Sequence, residues 1–241
     1  MIDELRRRLS SNQFYLQQID QFERNYYSND AIKWYTMDSC FFRLINQALR
    51  DENIDLLKKY RFYIYDLYQK LDELHQQMKI HDQVMLSLYR GQTLSTNQID
   101  EFIQHIGGIV SCNSFLSTTA SLDIALLFAG GSVDEGTVSN RPVIFCIEVD
   151  SSIRNTRPYA KVTSFSTMEE EDEYLFAVGS VFRIKKVDNL SGSEHIPVIY
   201  LQLIDENDLP AESTPLDIAK LIPESKLLSK KKKKHQKLKM K

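Results

Sequence analysis

Apolar residues change their spacing part-way along this chain, and the change separates a helical opening from a strand-rich remainder. From Ala31 onward, Phe41, Leu44, Ile45 and Leu49 recur three or four residues apart, the period of one face of an α-helix. Ile54, Leu57, Tyr60, Phe62, Ile64, Leu67, Leu71 and Leu74 carry the same texture to about His75. Neither Pro nor Gly occurs before Gly91, so no residue interrupts these helices. Residues 1–30 are polar, rich in Gln, Asn and Arg, and read as a weak helix or a frayed arm.

Beyond Lys79 the period shortens. Val84–Arg90 reads as a short strand ended by Gly91, and Thr96–His105 as a short helix capped by Thr96 and stopped by Gly107-Gly108. A strand near Ser114–Thr118, a helix about Leu122–Phe128 and a loop to Asn140 follow. Arg141-Pro142 then opens a strand in which Val143, Phe145, Ile147 and Val149 share one face. Further strands read at Glu173–Val178, Val181–Val187 and Val198–Leu203. Helices first and strands later predict an α+β fold with a largely antiparallel sheet. Residues 206–229, with Pro210, Pro215 and Pro223, read as a linker or packed strap.

Composition narrows the picture. The 241 residues are 42% hydrophobic and 26% charged, values at which a chain buries an ordinary core. No stretch approaches the roughly 20 apolar residues of a membrane span. Met1–Arg8 has no apolar run after its arginines, unlike a secretory leader, so a cytoplasmic or nuclear location is expected. Cys40, Cys112 and Cys146 are odd in number and far apart, which argues against a disulfide framework or a zinc site. The net charge of −3 hides an asymmetry. Lys230–Lys241 holds eight Lys and no acid, and without it 22 basic face 33 acidic residues, a net −11. Such a tail suits a nuclear-import signal, a nucleic acid or an anionic membrane, or is simply solvated.

Three short motifs carry candidate chemistry. Leu88-Tyr89-Arg90-Gly91 puts a guanidinium at the end of an apolar strand, where its planar fork suits a phosphate and Gly91 lets a ligand near the backbone. Ser114-Phe115-Leu116-Ser117-Thr118-Thr119 alternates when extended, so Phe115 and Ser117 face one way and Leu116 and Thr118 the other. Hydroxyls there can orient a carboxylate or a sugar. Glu169-Glu170-Glu171-Asp172-Glu173 runs into the apolar Tyr174-Leu175-Phe176. Extended, it places Glu171 and Glu173 on one side, about 7 Å apart at Cα, with Asp172 pointing away. Taken singly, each has an ordinary structural explanation: a turn, a helix cap, a solvated acidic loop.

Together and in this order, Arg90-Gly91, Phe115-x-Ser117-Thr118-Thr119 and Glu171-x-Glu173 resemble the R-S-E class of mono-ADP-ribosyltransferases. That class includes arginine-specific vertebrate-type enzymes and several bacterial toxins. The likeness spans about residues 31–205. It takes in Trp34-Tyr35-Thr36 and Asn46–Arg50 in the early helices, Ala125 and Phe128 after the Ser motif, Arg157-Pro158-Tyr159-Ala160 before the acidic run and Phe182-Arg183-Ile184 behind it. Thr119 departs from the family's usual Ser but keeps a hydroxyl. A rival register pairs Glu169 with Glu171; the strand at Tyr174 makes Glu173 the nearer match.

The resemblance implies N-terminal helices packed on a mixed, mainly antiparallel two-sheet core. It divides the chain into a polar arm (1–30), a catalytic domain that includes the early helices (31–205) and a linker with a Lys-rich tail (206–241). It implies a monomeric enzyme that consumes NAD+ as co-substrate, without a metal, and moves ADP-ribose to a protein side chain with release of nicotinamide. Glu173 would stabilise the developing charge on the ribose. Ser117 would hold Glu173 and that ribose, Thr118 would join the residues that bind NAD+, Arg90 would clamp the phosphate or ribose portion, and Gly91 would offer its backbone to the nicotinamide amide. Glu171 would receive an accessible arginine of the acceptor, since family members with Gln at that place generally modify other residues. The loop from Tyr159 to Glu170 would face the protein substrate. Two alternatives stay open: an NAD+ glycohydrolase on the same fold, and a non-catalytic interaction module that retains it.

Overall fold

The computed structural model of the chain describes residues 1–37, 39–81, 85–130, 140–166, 172–191, 196–209 and 216–217. Helices come first, as the apolar spacing predicts: α1 (Ile2–Arg8), α2 (Gln13–Asn25), α3 (Ala31–Thr36), α4 (Cys40–Arg50) and α5 (Ile54–His81). In α4, Phe41 and Ile45 are buried and Leu44 and Leu49 pack beside them, so the three-and-four pattern marks the inward face.

Of the two readings of the polar opening, a weak helix or a frayed arm, the structure shows helices. α2 starts at Asn12, whose side chain accepts from the Tyr15 amide, and it buries Ile19 and Phe22 while α1 buries Leu5. Phe22 packs against Trp34, Phe41 and Tyr63 with ring centroids 5.1, 4.5 and 5.7 Å away. Two apolar anchors three residues apart are enough to dock a short helix. Glu4 adds a polar attachment: Arg7 and Arg8 on α1 and Lys59 on α5 donate to its buried carboxylate and hold it well below the usual carboxylate range.

The remaining elements are β1 (Met85–Ser95), α6 (Thr96–Gln104), β2 (Ile109–Cys112), β3 (Leu116–Thr119), α7 (Leu122–Gly130), β4 (Asn140–Asp150), β5 (Tyr159–Lys161), β6 (Glu173–Phe176), β7 (Ser180–Asn189), β8 (Pro197–Leu203) and β9 (Leu216–Asp217). Ser95, not Thr96, caps α6, through a reciprocal box with Gln98. Among the described residues the strands pair in the order β5-β6-β3-β1-β4-β8-β7-β2-β9. β4 with β8 and β2 with β9 run parallel and the other pairs antiparallel, which makes the chain α+β with a mixed, mainly antiparallel sheet.

The ladder is continuous rather than split in two, yet a single pair, Tyr89 with Thr119, joins β5-β6-β3 to β1. The portions on either side of that seam share one core. Leu116, Tyr159, Tyr174 and Phe176 enter it from one portion, and Leu88, Phe145, Ile147, Phe182 and Leu201 from the other. On the opposite face of β5-β6-β3, Phe115, Ala160, Val162 and Leu175 join the core of the helical layer. α7 covers the opposite face of β1 and β4 through Ala125 and Ala129 against Ile144 and Cys146. Among the described residues, no helix is long and apolar enough to cross a membrane.

Candidate functional site

β3 and β6 pair antiparallel with Ser117 opposite Leu175 and Thr119 opposite Glu173. Residues opposite each other share a face, so Ser117 and Glu173 are diagonal neighbours on one side of the sheet. The Ser117 hydroxyl donates to Glu173 Oε1 at 2.6 Å, a short charge-assisted bond. The Ser117 carbonyl accepts from Arg90 Nη1 at 2.7 Å. One serine thus touches both the guanidinium and the carboxylate, and the Arg–Ser–Glu reading is brought together across β1, β3 and β6.

Both charged groups are buried, Arg90 at 6% and Glu173 at 3% exposure. Glu173 Oε2 is buried with no hydrogen-bond partner among the described residues. An unmet buried acceptor costs about 1–3 kcal/mol, more when charged. Gln92, absent from the sequence reading, accepts from Arg90 Nε at 3.1 Å and fixes the rotation of the guanidinium. Its signal was available: Leu88, Arg90, Gln92 and Leu94 form a period-two row whose two polar members lie between buried leucines.

Several expectations are corrected. Arg90-Gly91 lies mid-strand, not at a strand end, because β4 pairs along the whole of β1, with Arg90 opposite Phe145 and Gly91 opposite Ile144. Gly91 also lets α7 pack closely against β1: a Cβ there would fall 1.7 Å from the Ala125 carbonyl oxygen. Thr118 points away from Ser117 and Glu173, and its hydroxyl donates to the Tyr174 carbonyl at 3.1 Å. The same-side placement of Glu171 and Glu173 assumed an extended chain, but Asp172 has φ +43°. That angle is left-handed rather than extended, and Glu171 itself lies outside the described residues. Asp172 is tied down by an ion pair with Lys161, whose ammonium it pushes up in pKa, and by the Ala120 amide donating to its carbonyl at 3.1 Å. Among the described residues, no group of three His, Cys, Asp or Glu could hold a metal ion.

Neither protein-family models nor the sequences of curated proteins give a match. Solved structures do. The Vis toxin of Vibrio splendidus, an ADP-ribosyltransferase, superposes with a TM-score of 0.58 at 16% identity, covering 81% of this chain and 82% of that one. The chain has the fold of bacterial ADP-ribosyltransferases. The ADP-ribosyltransferase HopU1 of Pseudomonas syringae pv. tomato matches with a TM-score of 0.55 at 20% identity, over 84% and 87% of the two chains. Exoenzyme S of Pseudomonas aeruginosa does so with a TM-score of 0.53 at 15% identity, over 88% and 92%. On this ADP-ribosyltransferase fold, Arg90, Ser117 and Glu173 stand on adjacent strands beside the Tyr89–Thr119 seam.

Proposed function

We propose that this protein cleaves the nicotinamide–ribose bond of NAD+ and transfers the ADP-ribose to a protein side chain, namely arginine. The observation that carries the reading is the bond from the Ser117 hydroxyl to Glu173 Oε1, made by the same serine whose carbonyl accepts from Arg90. Rupture of that glycosidic bond builds positive charge on the ribose, as in glycoside hydrolysis. A pre-set carboxylate in a dry site stabilises that charge more in the transition state than in the ground state. Glu173 fills this role, with Oε2 facing the sugar. Ser117 holds the carboxylate in orientation, and Arg90, steadied by Gln92, holds phosphate.

Neighbouring folds support the choice of substrates. Exoenzyme S is seen bound to carba-NAD, and Vis in complex with agmatine, a molecule that ends in a guanidinium. Glu171 receives the acceptor guanidinium, which a carboxylate can hold by two parallel bonds. The catalytic domain is taken as residues 31–205 with α1 and α2 docked onto it. Supplying the protein with NAD+ and agmatine, and counting nicotinamide released against ADP-ribosyl-agmatine formed, tests the reading. Near-equal amounts are expected, and Glu171→Gln should lose the agmatine product while still releasing nicotinamide. Nicotinamide without any agmatine product from the parent protein would instead make it a glycohydrolase.

A further inference from the structure

Two residues ahead of Ser117, a side chain from the helical layer grips the chain by its backbone. Asn46 of α4, fully buried, accepts from the Phe115 amide through Oδ1 and donates to the Phe115 carbonyl through Nδ2, both at 3.2 Å. Nδ2 also donates to the Tyr35 hydroxyl oxygen at 2.8 Å, and that hydroxyl donates to the same carbonyl at 3.3 Å. The rings of Tyr35 and Phe115 meet edge to face at 5.6 Å. The ladder between β3 and β6 begins only at Leu116. The carboxamide of Asn46 therefore stands in for the neighbouring strand that Phe115 lacks.

We propose that Asn46, braced by Tyr35, is a positioning residue for the Ser117–Glu173 pair; the proposal rests on the NAD+-cleaving reading above. Adhesion of the helical layer does not need it, because Trp34, Phe41 and Ile45 already bury that face. What the carboxamide adds is direction, since its donor and acceptor fit the Phe115 backbone in one register only. Ser117 follows about 6.6 Å along the strand, and its hydroxyl and carbonyl aim at Glu173 and Arg90. A shift of Phe115 therefore moves both contacts. Arg90 keeps its second hold on Gln92, so NAD+ binding suffers less than turnover.

The test measures nicotinamide release by Asn46→Leu and Tyr35→Phe, each alone and combined with Ser117→Ala, together with hydrogen exchange of the Phe115 amide. Misplacement on the order of 1 Å can cost about 100-fold, so Asn46→Leu should lower kcat about 10- to 100-fold with KM for NAD+ changed less than about threefold. Tyr35→Phe, which deletes one oxygen, should lower kcat about three- to tenfold. On the Ser117→Ala background either change should add less than about twofold, because no hydroxyl is left to place. Losses that repeat in full on that background, or an unchanged kcat in both variants, overturn the proposal. If Asn46→Leu does not fold, Tyr35→Phe carries the cycle alone. A parent protein that releases no nicotinamide refutes the reaction instead, and exchange then decides the clamp. Faster exchange at Phe115 with β1 and β4 still protected supports it, and unchanged exchange rejects it.

Discussion

Replacing Gly91 by Ala tests how closely the seam between β1 and α7 is drawn. A Cβ there would lie 1.7 Å from the Ala125 carbonyl oxygen and 2.7 Å from the Ala129 nitrogen. Both are backbone atoms, so no change of rotamer relieves the overlap. β1 is held by β4 along its whole length, which leaves α7 to retreat by roughly 1.5 Å in an interior as close-packed as a crystal. That retreat opens the cluster of Ala125, Ala129, Ile144, Cys146 and Val198. Overpacking costs about 1–3 kcal/mol, and rigid backbone on both sides puts this case near ~3 kcal/mol. For a chain of this length, Tm shifts by about 2–4 °C per kcal/mol, so a fall of about 6–12 °C is expected. Gly130→Ala is the control: it ends the same helix, its Cβ meets nothing within 4 Å among the described residues, and its Tm should hold or rise slightly. Calorimetric scans of the three proteins decide the matter. A Gly91→Ala protein that melts with the parent would refute the packing argument.

Two further predictions concern groups outside the reacting pair. The Glu4 carboxylate is depressed in the folded state by Arg7, Arg8 and Lys59, so its contribution is fully present above its unfolded pKa of about 4.3 and is lost as pH falls toward the folded value. Glu4→Gln should therefore lower stability at neutral pH and flatten the acid limb of a denaturation series, and coincident pH–stability curves would contradict this. At Asp172, φ +43° suits Gly and strains a β-branched residue, while the half-exposed pair with Lys161 contributes little. Asp172→Gly should leave Tm within about 2 °C and Asp172→Val should lower it by about 2–8 °C; equal melting of the two would argue against a left-handed turn before Glu173.

Long periodic segments were legible in the sequence, and short or long-range features were not. The faces of α4 and β4 follow from regular spacing over many residues, and Val143, Phe145, Ile147 and Val149 are all buried as that spacing predicts. β5 and β9 span three and two residues, too few for a period to register, and the four-residue β2 lacks the motif that marked β3 and β6, which are no longer. Leu5, Ile19 and Phe22 were hidden by polar neighbours although they anchor α1 and α2. Arg90, Ser117 and Glu173 could be named from their motifs, but their meeting depends on pairing β3 with a strand more than 50 residues away, for which no local signal exists. The tight turn at Asp172 also escaped, because a row of acids reads as extended until a backbone angle says otherwise. Gly91 was read as the end of a strand, whereas β4 pairs through it and α7 packs closely against it.

Nicotinamide release by Glu173→Gln tests the central claim most directly, because the amide keeps the shape of the carboxylate and an oxygen for the Ser117 hydroxyl while removing the charge. The parent protein should release nicotinamide from NAD+, and the variant should bind NAD+ comparably in calorimetry while releasing it about 100- to 1,000-fold more slowly. Release by Glu173→Gln at the parent's rate would remove Glu173 from the chemistry and the proposed reaction with it.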